Sequence, residues 1–377
     1  MNIGIVCYPT FGGSGAVATE LGKALANKGH KVHFISYNLP FKLNHFNENI
    51  IYHEVEWYEY PLFEYQPYES ALTSKIVDVA LYETLDILHV HYAIPHASAA
   101  YLAKQILHSK KIHLPYITTL HGTDITLVGK DPSFEPVIRF SLNNSDAITA
   151  VSKSLKKETL QTFKIDNNIE VIHNFIDFNR VQNIKQNASC CISNKSKNEK
   201  ILMHISNFRK VKRIDDVVKI FALIRKKIPS KLVLVGDGPE KPFIERLVRN
   251  LKLQRDVIFT GRIAEPLEIL ASADLFLLPS ETESFGLSAL EAMALGVPVI
   301  SSNSGGITEV NIHGKTGFTC QVGDVNSMAR YSIELLVDAK KHLNFSKNAM
   351  EQAKKFDVKN ILPKYLHLYS KVTKQTN

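Results

Sequence analysis

The sequence lacks the features that would place it in a membrane, in an oxidising compartment or on nucleic acid. No apolar run approaches the roughly 18 residues that a membrane-spanning helix needs, and Met1-Asn-Ile-Gly-Ile5 reads as the start of a strand, not as a charged and apolar leader. Cysteine is scarce. Cys7, Cys190, Cys191 and Cys320 show no paired metal spacing, and two adjacent cysteines make a poor disulfide framework. Reduced thiols and a cytoplasmic setting are therefore expected. The formal charge of +8 is spread along the chain, with local clusters only at Lys195 to Lys200 and at Arg209-Lys-Val-Lys-Arg213. No nucleic-acid recognition motif and no basic amphipathic helix accompany it, so neither nucleic acid nor membrane is expected as a partner. Homo-oligomerisation stays open.

What the chain does contain is one local pattern repeated: an apolar run, a glycine-rich or polar turn, then a helix. At 377 residues it has room for two domains, each with its own core. The pattern is sharpest at Glu281-Thr-Glu-Ser-Phe-Gly-Leu-Ser-Ala-Leu-Glu291. Asp274 to Pro279 predicts a buried strand, and Leu287 to Ala294 a helix stopped by Gly296-Val-Pro298. Glu283 then lies at a strand-to-helix junction, where open α/β sheets bind ligands. A helix N-terminus offers free N–H groups to hydroxyls and phosphates. Glu291, about two turns on, shares the face of Glu283 and Leu287 and can accept hydrogen bonds from a vicinal diol such as a ribose. The plainer alternative is a capping Glu283 and a solvated Glu291.

In the first half, the run Asn2 to Cys7 precedes Gly12-Gly-Ser-Gly15, and Val17 to Lys28 reads as a helix closed by Gly29. Gly13-Ser-Gly-Ala-Val-Ala18 satisfies a loose dinucleotide fingerprint. Tyr8-Pro-Thr-Phe11 lengthens that turn, however, and the strand Lys31 to Ser36 runs into Tyr37-Asn38 with no acidic residue for an adenosine ribose, which argues against a dehydrogenase. Asp86 to His91 and Tyr116 to Leu120 are further strands. His91 and Tyr92 are expected at the rim of a cleft, and His89 against the sheet. His121-Gly-Thr-Asp124 ends its strand with groups suited to sugar hydroxyls or a carboxylate, although Asp124 can instead cap the next turn. Lys153, Asn174 and Asp177 are weaker rim candidates, and Trp57 to Tyr68 reads as aromatic packing.

Lys185 to Lys200 is the one clear break in composition, and the βα alternation restarts after it. Ile201 to Ser206 is a strand leading to Asn207-Phe-Arg-Lys-Val-Lys-Arg213, where Arg209 can donate two bonds to a diphosphate and Lys212 acts as a point charge. The alternative is a solvated basic turn. Gly236 and Gly238 follow another strand, and Arg262 a third; such turns let a nucleotide base lie against backbone, or serve chain geometry alone. The expected boundaries are 1–184 for an acceptor-side domain, 185–199 for a linker, 200–356 for a nucleotide-sugar domain and 357–377 for a helix returning to the first. The fold class is α/β, two doubly wound Rossmann-like domains facing across a cleft.

With these residues in place the chain resembles a known family. Glu283-x7-Glu291, Gly12-Gly-Ser-Gly15 and the Arg209/Lys212 pair are similar to the retaining GT-B glycosyltransferases of glycosyltransferase family 4. The segments Cys7 to Gly22, Tyr60 to Tyr65, His89 to His96, Thr119 to Thr126 and Ser206 to Arg213 resemble the branch that opens bacillithiol biosynthesis, with Lys210 standing where proline is expected. The resemblance implies transfer of N-acetylglucosamine from UDP-N-acetylglucosamine to the hydroxyl of L-malate, with retention; that no metal and no cofactor take part is an expectation that rests on the same resemblance. It implies Arg209 and Lys212 on the diphosphate, Glu291 on the ribose, and Glu283 with the backbone of Ser284, Phe285, Gly286 and Leu287 on the sugar. Gly13, Gly236 and Arg262 complete the donor side. His121 near the reaction centre, with Ser14, Gly15, Tyr92, Thr123 and Asn174, forms the acceptor side. His121, Arg209, Lys212 and Glu283 are the expected catalytic set. Another acceptor in the same family, or a GT-B UDP-N-acetylglucosamine 2-epimerase, is the alternative.

Overall fold

The computed structural model describes residues 1–10, 12–43, 46–57, 67–126, 131–187 and 199–374. It divides into two compact units, Met1–Asn174 with Lys359–Asn377, and Phe175–Val358. Each is a parallel sheet with helices on its faces.

The first unit has strands β1 (Asn2–Val6), β2 (Lys31–Ser36), β3 (Ile50–Glu54), β4 (Ile87–His91), β5 (Tyr116–Leu120), β6 (Ala147–Ala150) and β7 (Ile169–Val171), in the order β3-β2-β1-β4-β5-β6-β7. The second has β8 (Lys200–Ile205), β9 (Ser230–Val235), β10 (Val257–Gly261), β11 (Leu275–Leu278), β12 (Val299–Ser302) and β13 (Gly317–Cys320), ordered β10-β9-β8-β11-β12-β13. Every pairing is parallel. Because crossover helices cover both faces of such sheets, their strands are apolar runs and not alternating ones. Ile3, Ile5, Val6, Leu88 and Val90 are fully buried in the first unit, and Leu202, Leu232, Leu234, Leu275 and Leu277 in the second. Strand order reverses between β1 and β4, and again between β8 and β11; the carboxyl ends of those pairs are where ligands of such sheets bind.

The units part at Asn174/Phe175, earlier than the expected 184, because the helix Phe178–Asn187 packs within the second unit. Arg180 pairs there with Glu265 at 2.8 Å, and the Gln182 amide donates to Ala294 O. Most of the expected linker, residues 188–198, lies outside the described residues. The last helix, Val358–Lys374, places Tyr365 and Tyr369 against His89 of the first unit. Of the aromatic stretch, Trp57 and Tyr68 pack around Tyr37, and residues 58–66 lie outside the described residues. Among the described residues no helix is long and apolar enough to cross a membrane.

Candidate active site

In the second unit, β8 ends in the basic turn and β11 in the glutamate turn, so the switch point brings the two motifs together. The Glu281 N–H donates to Val211 O at 2.8 Å, and Lys212 Nζ donates to Glu283 Oε2 at 2.7 Å. Both side chains of that pair are largely buried, at 21% and 14% exposure. Arg209 is exposed, and its guanidinium has no ion-pair partner among the described residues. Arg213, left-handed at φ 49°, is held by Asp216 at 2.6 Å.

The helix Leu287–Ala294 begins where the sequence pattern places it. Gly286 caps it at φ 91° with no side-chain cap, leaving the first N–H groups for a ligand. A Cβ on Gly305 would lie 2.3 Å from Glu283 O, so close approach requires that glycine, whereas Gly286 is required by its left-handed φ of 91°. The Gly306 N–H donates to Glu283 O at 2.7 Å, fixing the loop from behind. Ser284, Leu287 and Glu291 are half-buried near that helix start. Two expected donor residues also serve the fold. Phe285 turns its ring into the core against Phe356, leaving only its backbone to a ligand. Gly236 spends its N–H on Gly261 O, and a Cβ there would overlap Ser206 O, so it serves chain geometry at the end of β9. Arg262 is exposed just past β10.

Sequence reasoning missed His204. It is fully buried in β8, donates through Nδ1 to Leu277 O at 2.8 Å, and so accepts the Ser206 hydroxyl at Nε2, also 2.8 Å. Burial pushes it down to about 4, which keeps it neutral beside the basic turn.

In the first unit the helix after β1 spans Ser14–Ala26, starting before the expected Val17, because Gly13 at φ 62° lets the chain turn directly into it. Ser14 and Gly15 therefore occupy the first helical turn, whose N–H groups no side chain caps. A Cβ on Gly13 would meet no described residue within 4 Å, whereas one on Gly15 would meet Tyr8 O at 2.4 Å.

The carboxyl ends of β4 and β5 carry four imidazoles. His91, expected at the rim, is fully buried, since a parallel sheet covers both faces of its strands. Its ring lies between those of His89 and His121, at 4.5 and 5.1 Å between centroids. His91 Nδ1 and His121 Nε2 share a hydrogen bond of 2.8 Å. His89 bonds Tyr369 Oη at 2.7 Å and Thr119 Oγ1 at 2.6 Å, and His96 donates from Nδ1 to His91 O. His121 is half-buried, and its Nδ1 makes no hydrogen bond among the described residues. Desolvation pushes His89 and His121 down to about 3 and His96 to about 4, and holds His91 far below the usual imidazole range. All four are neutral at physiological pH.

Tyr92 follows at φ 95°, its ring 5.6 Å from that of His121, and Thr123 is half-buried at the start of the short helix Thr123–Thr126. Asp124 is buried and does not cap a following turn. It accepts from Ala93 N–H at 3.0 Å and Gly122 N–H at 2.9 Å, tying the turn after β4 to the turn after β5. Desolvation raises its carboxyl to about 6, against the lowering effect of its backbone donors. Asn174 is buried, with Oδ1 unpartnered among the described residues; Lys153 and Asp177 are exposed. Among the described residues, one group has metal-ligand composition: His33, His53 and Glu83. His33 Nδ1 and His53 Nε2 are hydrogen-bonded to each other at 3.0 Å, across the paired strands β2 and β3.

Comparison with known proteins gives a consistent result. A family model described as Glycosyltransferase Family 4 matches residues 11–180, and one described as Glycosyl transferases group 1 matches residues 188–352. The chain is 50% identical to the N-acetyl-alpha-D-glucosaminyl L-malate synthase of Bacillus anthracis, covering 98% of this chain and 96% of that protein. Among solved structures it resembles a sucrose-phosphate synthase from Thermosynechococcus elongatus, with TM-score 0.81 and 20% identity over 99% of both chains. It also resembles Anabaena HepE in complex with UDP-glucose, with TM-score 0.76 and 20% identity over 98% of this chain and 100% of that one.

Proposed function

The chain belongs to glycosyltransferase family 4, and from that membership we propose that it transfers N-acetylglucosamine from UDP-N-acetylglucosamine to the hydroxyl of L-malate, with retention at the anomeric carbon and without a metal. This is the first step of bacillithiol biosynthesis, placed in the cytoplasm. The observation that carries the reading is the near-full-length likeness to the Bacillus anthracis malate synthase. The paired Lys212 and Glu283 beside an uncapped helix N-terminus support it.

On the donor side, Arg209 and Lys212 take the diphosphate, Glu291 the ribose, and Glu283 with the N–H groups of the Leu287 helix the sugar. On the acceptor side, the helix start at Ser14 and Gly15 offers N–H groups to a malate carboxylate, with Tyr92, His121, Thr123 and Asn174 nearby. As the bond from the anomeric carbon to the diphosphate breaks, charge grows on the leaving oxygen, and fixed cations stabilise it. The malate hydroxyl oxygen forms the new bond on the same face, and its proton passes to a leaving phosphate oxygen. A covalent intermediate would need a free carboxylate under the sugar. Glu283 is engaged by Lys212, and Asp124 by two backbone N–H groups. Incubation with donor and EDTA, with and without L-malate, tests the reading: UDP release that needs malate is expected, and equal release without it would point to hydrolysis or epimerase-like chemistry.

Two further outcomes follow. Gly305→Ala sets a methyl against Glu283 O at a backbone angle that favours glycine, at φ 77°. Strain of roughly 1–3 kcal/mol displaces the Glu283 loop, so the donor KM should rise about tenfold or more; an unchanged KM would detach that loop from the donor. Asp124 should set the acid limb of the rate. Below about pH 6 its carboxylate takes up a proton and loosens its hold on Ala93 and Gly122. A fall in kcat/KM through that pH, replaced by a low flat profile in Asp124→Asn, is the expected pH–rate result.

A further inference from the structure

We propose that His91 is a positioning residue that donates its Nδ1–H to His121 Nε2, so that His121 carries its own proton on Nδ1 and presents a hydrogen-bond donor, not a base, to a ligand oxygen. The inference rests on the acceptor-side reading above and names how His121 works within it.

The argument is one of proton placement. Two neutral imidazoles 2.8 Å apart share one proton across the Nδ1···Nε2 contact, and the outer nitrogens must then differ. The other nitrogen of His91, Nε2, is buried and has no hydrogen-bond partner among the described residues. If His121 were the donor, His91 would bury an N–H with no acceptor, the rarest kind of orphan in folded proteins. If His91 is the donor, only a lone pair is left without a partner. The second arrangement fixes the proton of His121 on Nδ1, the nitrogen that the surrounding side chains leave without a bond.

The rings cannot easily swap roles. His91 is stacked on His89, and its backbone carbonyl is held by His96 Nδ1. His89 is itself anchored by Tyr369 and Thr119. The depressed basicity of all four rings keeps the set neutral, so a relay that needs an imidazolium is disfavoured. A neutral N–H suits a carboxylate or hydroxyl oxygen, and it leaves the acceptor's proton to the departing phosphate.

The test is a long-range proton–nitrogen NMR spectrum of the ¹⁵N-histidine-labelled full chain at neutral pH, with His121 assigned by the loss of its signals in His121→Asn. His121 is expected in the Nδ1–H form before any substrate is added. His91→Asn, whose amide can still donate, should keep that form and lose less than about threefold in kcat/KM. His91→Leu should release the tautomer and lose roughly tenfold or more, the value of one directed hydrogen bond. An Nε2–H His121 in the unaltered chain overturns the proposal, and so do equal losses in the two variants with the tautomer unchanged. Failure of the malate reading would instead appear as malate-independent UDP release, while the spectrum would still decide the tautomer.

Discussion

Lys212→Ala is expected to lower kcat/KM by roughly 10²- to 10³-fold, the usual scale for removing one preorganised group from developing charge. The structure gives that lysine two duties. It sits where a diphosphate would be cradled, and it neutralises Glu283 at 2.7 Å in a largely buried pair. Removing it leaves a buried carboxylate without its cation, beside the place where the leaving group's negative charge grows. Loss of stability in the second unit, about 1 kcal/mol or somewhat more, should accompany the loss of rate. Arg209→Ala offers the contrast, because that side chain is exposed and has no ion pair among the described residues. It should slow turnover by more than about tenfold while leaving the melting temperature alone. A Lys212→Ala/Glu283→Ala double variant separates the duties: stability should partly return, and rate should not. Full activity in Lys212→Ala would remove the basic turn from the chemistry.

The second large effect concerns acid. Between neutral pH and about pH 4 the first unit should unfold before the second. His89, His91, His96 and His121 all have folded-state basicities far below 6.5. The unfolded chain therefore takes up a proton at each as pH falls through 6.5, whereas the folded chain does so only near 3 at His89 and His121, near 4 at His96, and well below the usual imidazole range at His91. Stability from these groups is present above 6.5 and lost on acidification. Asp124 works in the opposite direction, because its raised pKa of about 6 lets the folded form bind one proton over the window from 6 down to 3.8. The net excess is near three protons, equivalent to about 4 kcal/mol of stability per pH unit in the steepest range. Trp57, the chain's single tryptophan, lies in the first unit, so its fluorescence reports that unit alone. Its transition should precede at least half of the change in circular dichroism. Coincident transitions, or a Trp57 transition confined below pH 4, would show that the imidazole cluster does not control acid stability.

The outline of both units can be read from local signals. Apolar runs ending in glycine or polar turns mark the strands, and the Leu287–Ala294 helix matches its sequence limits because Gly286 and the Gly296-Val-Pro298 stop are local. What could not be read depends on distant partners. Lys212 and Glu283 are 71 positions apart, and His89 and Tyr369 280. The sequence offers no sign that Glu283 is neutralised before a ligand arrives, or that the last helix closes over β4. The place of His91 at the carboxyl end of its strand points to a cleft rim, but in a doubly covered sheet both faces of that strand are interior. The spacing His89-x-His91 with His96 and His121 was the available hint of an imidazole cluster. The backbone partners of Asp124 are equally out of reach of local reading, since Ala93, whose N–H it accepts, belongs to the neighbouring strand's turn.

The most direct measurement is the identity and anomeric configuration of the product formed from UDP-N-acetylglucosamine and L-malate in the presence of EDTA, read by mass and by the anomeric proton's coupling. The account predicts an N-acetylglucosaminyl malate with the α configuration of the donor, in amounts equal to the UDP released. A β-linked adduct, or UDP released with only free sugar or an epimerised sugar beside it, would contradict it.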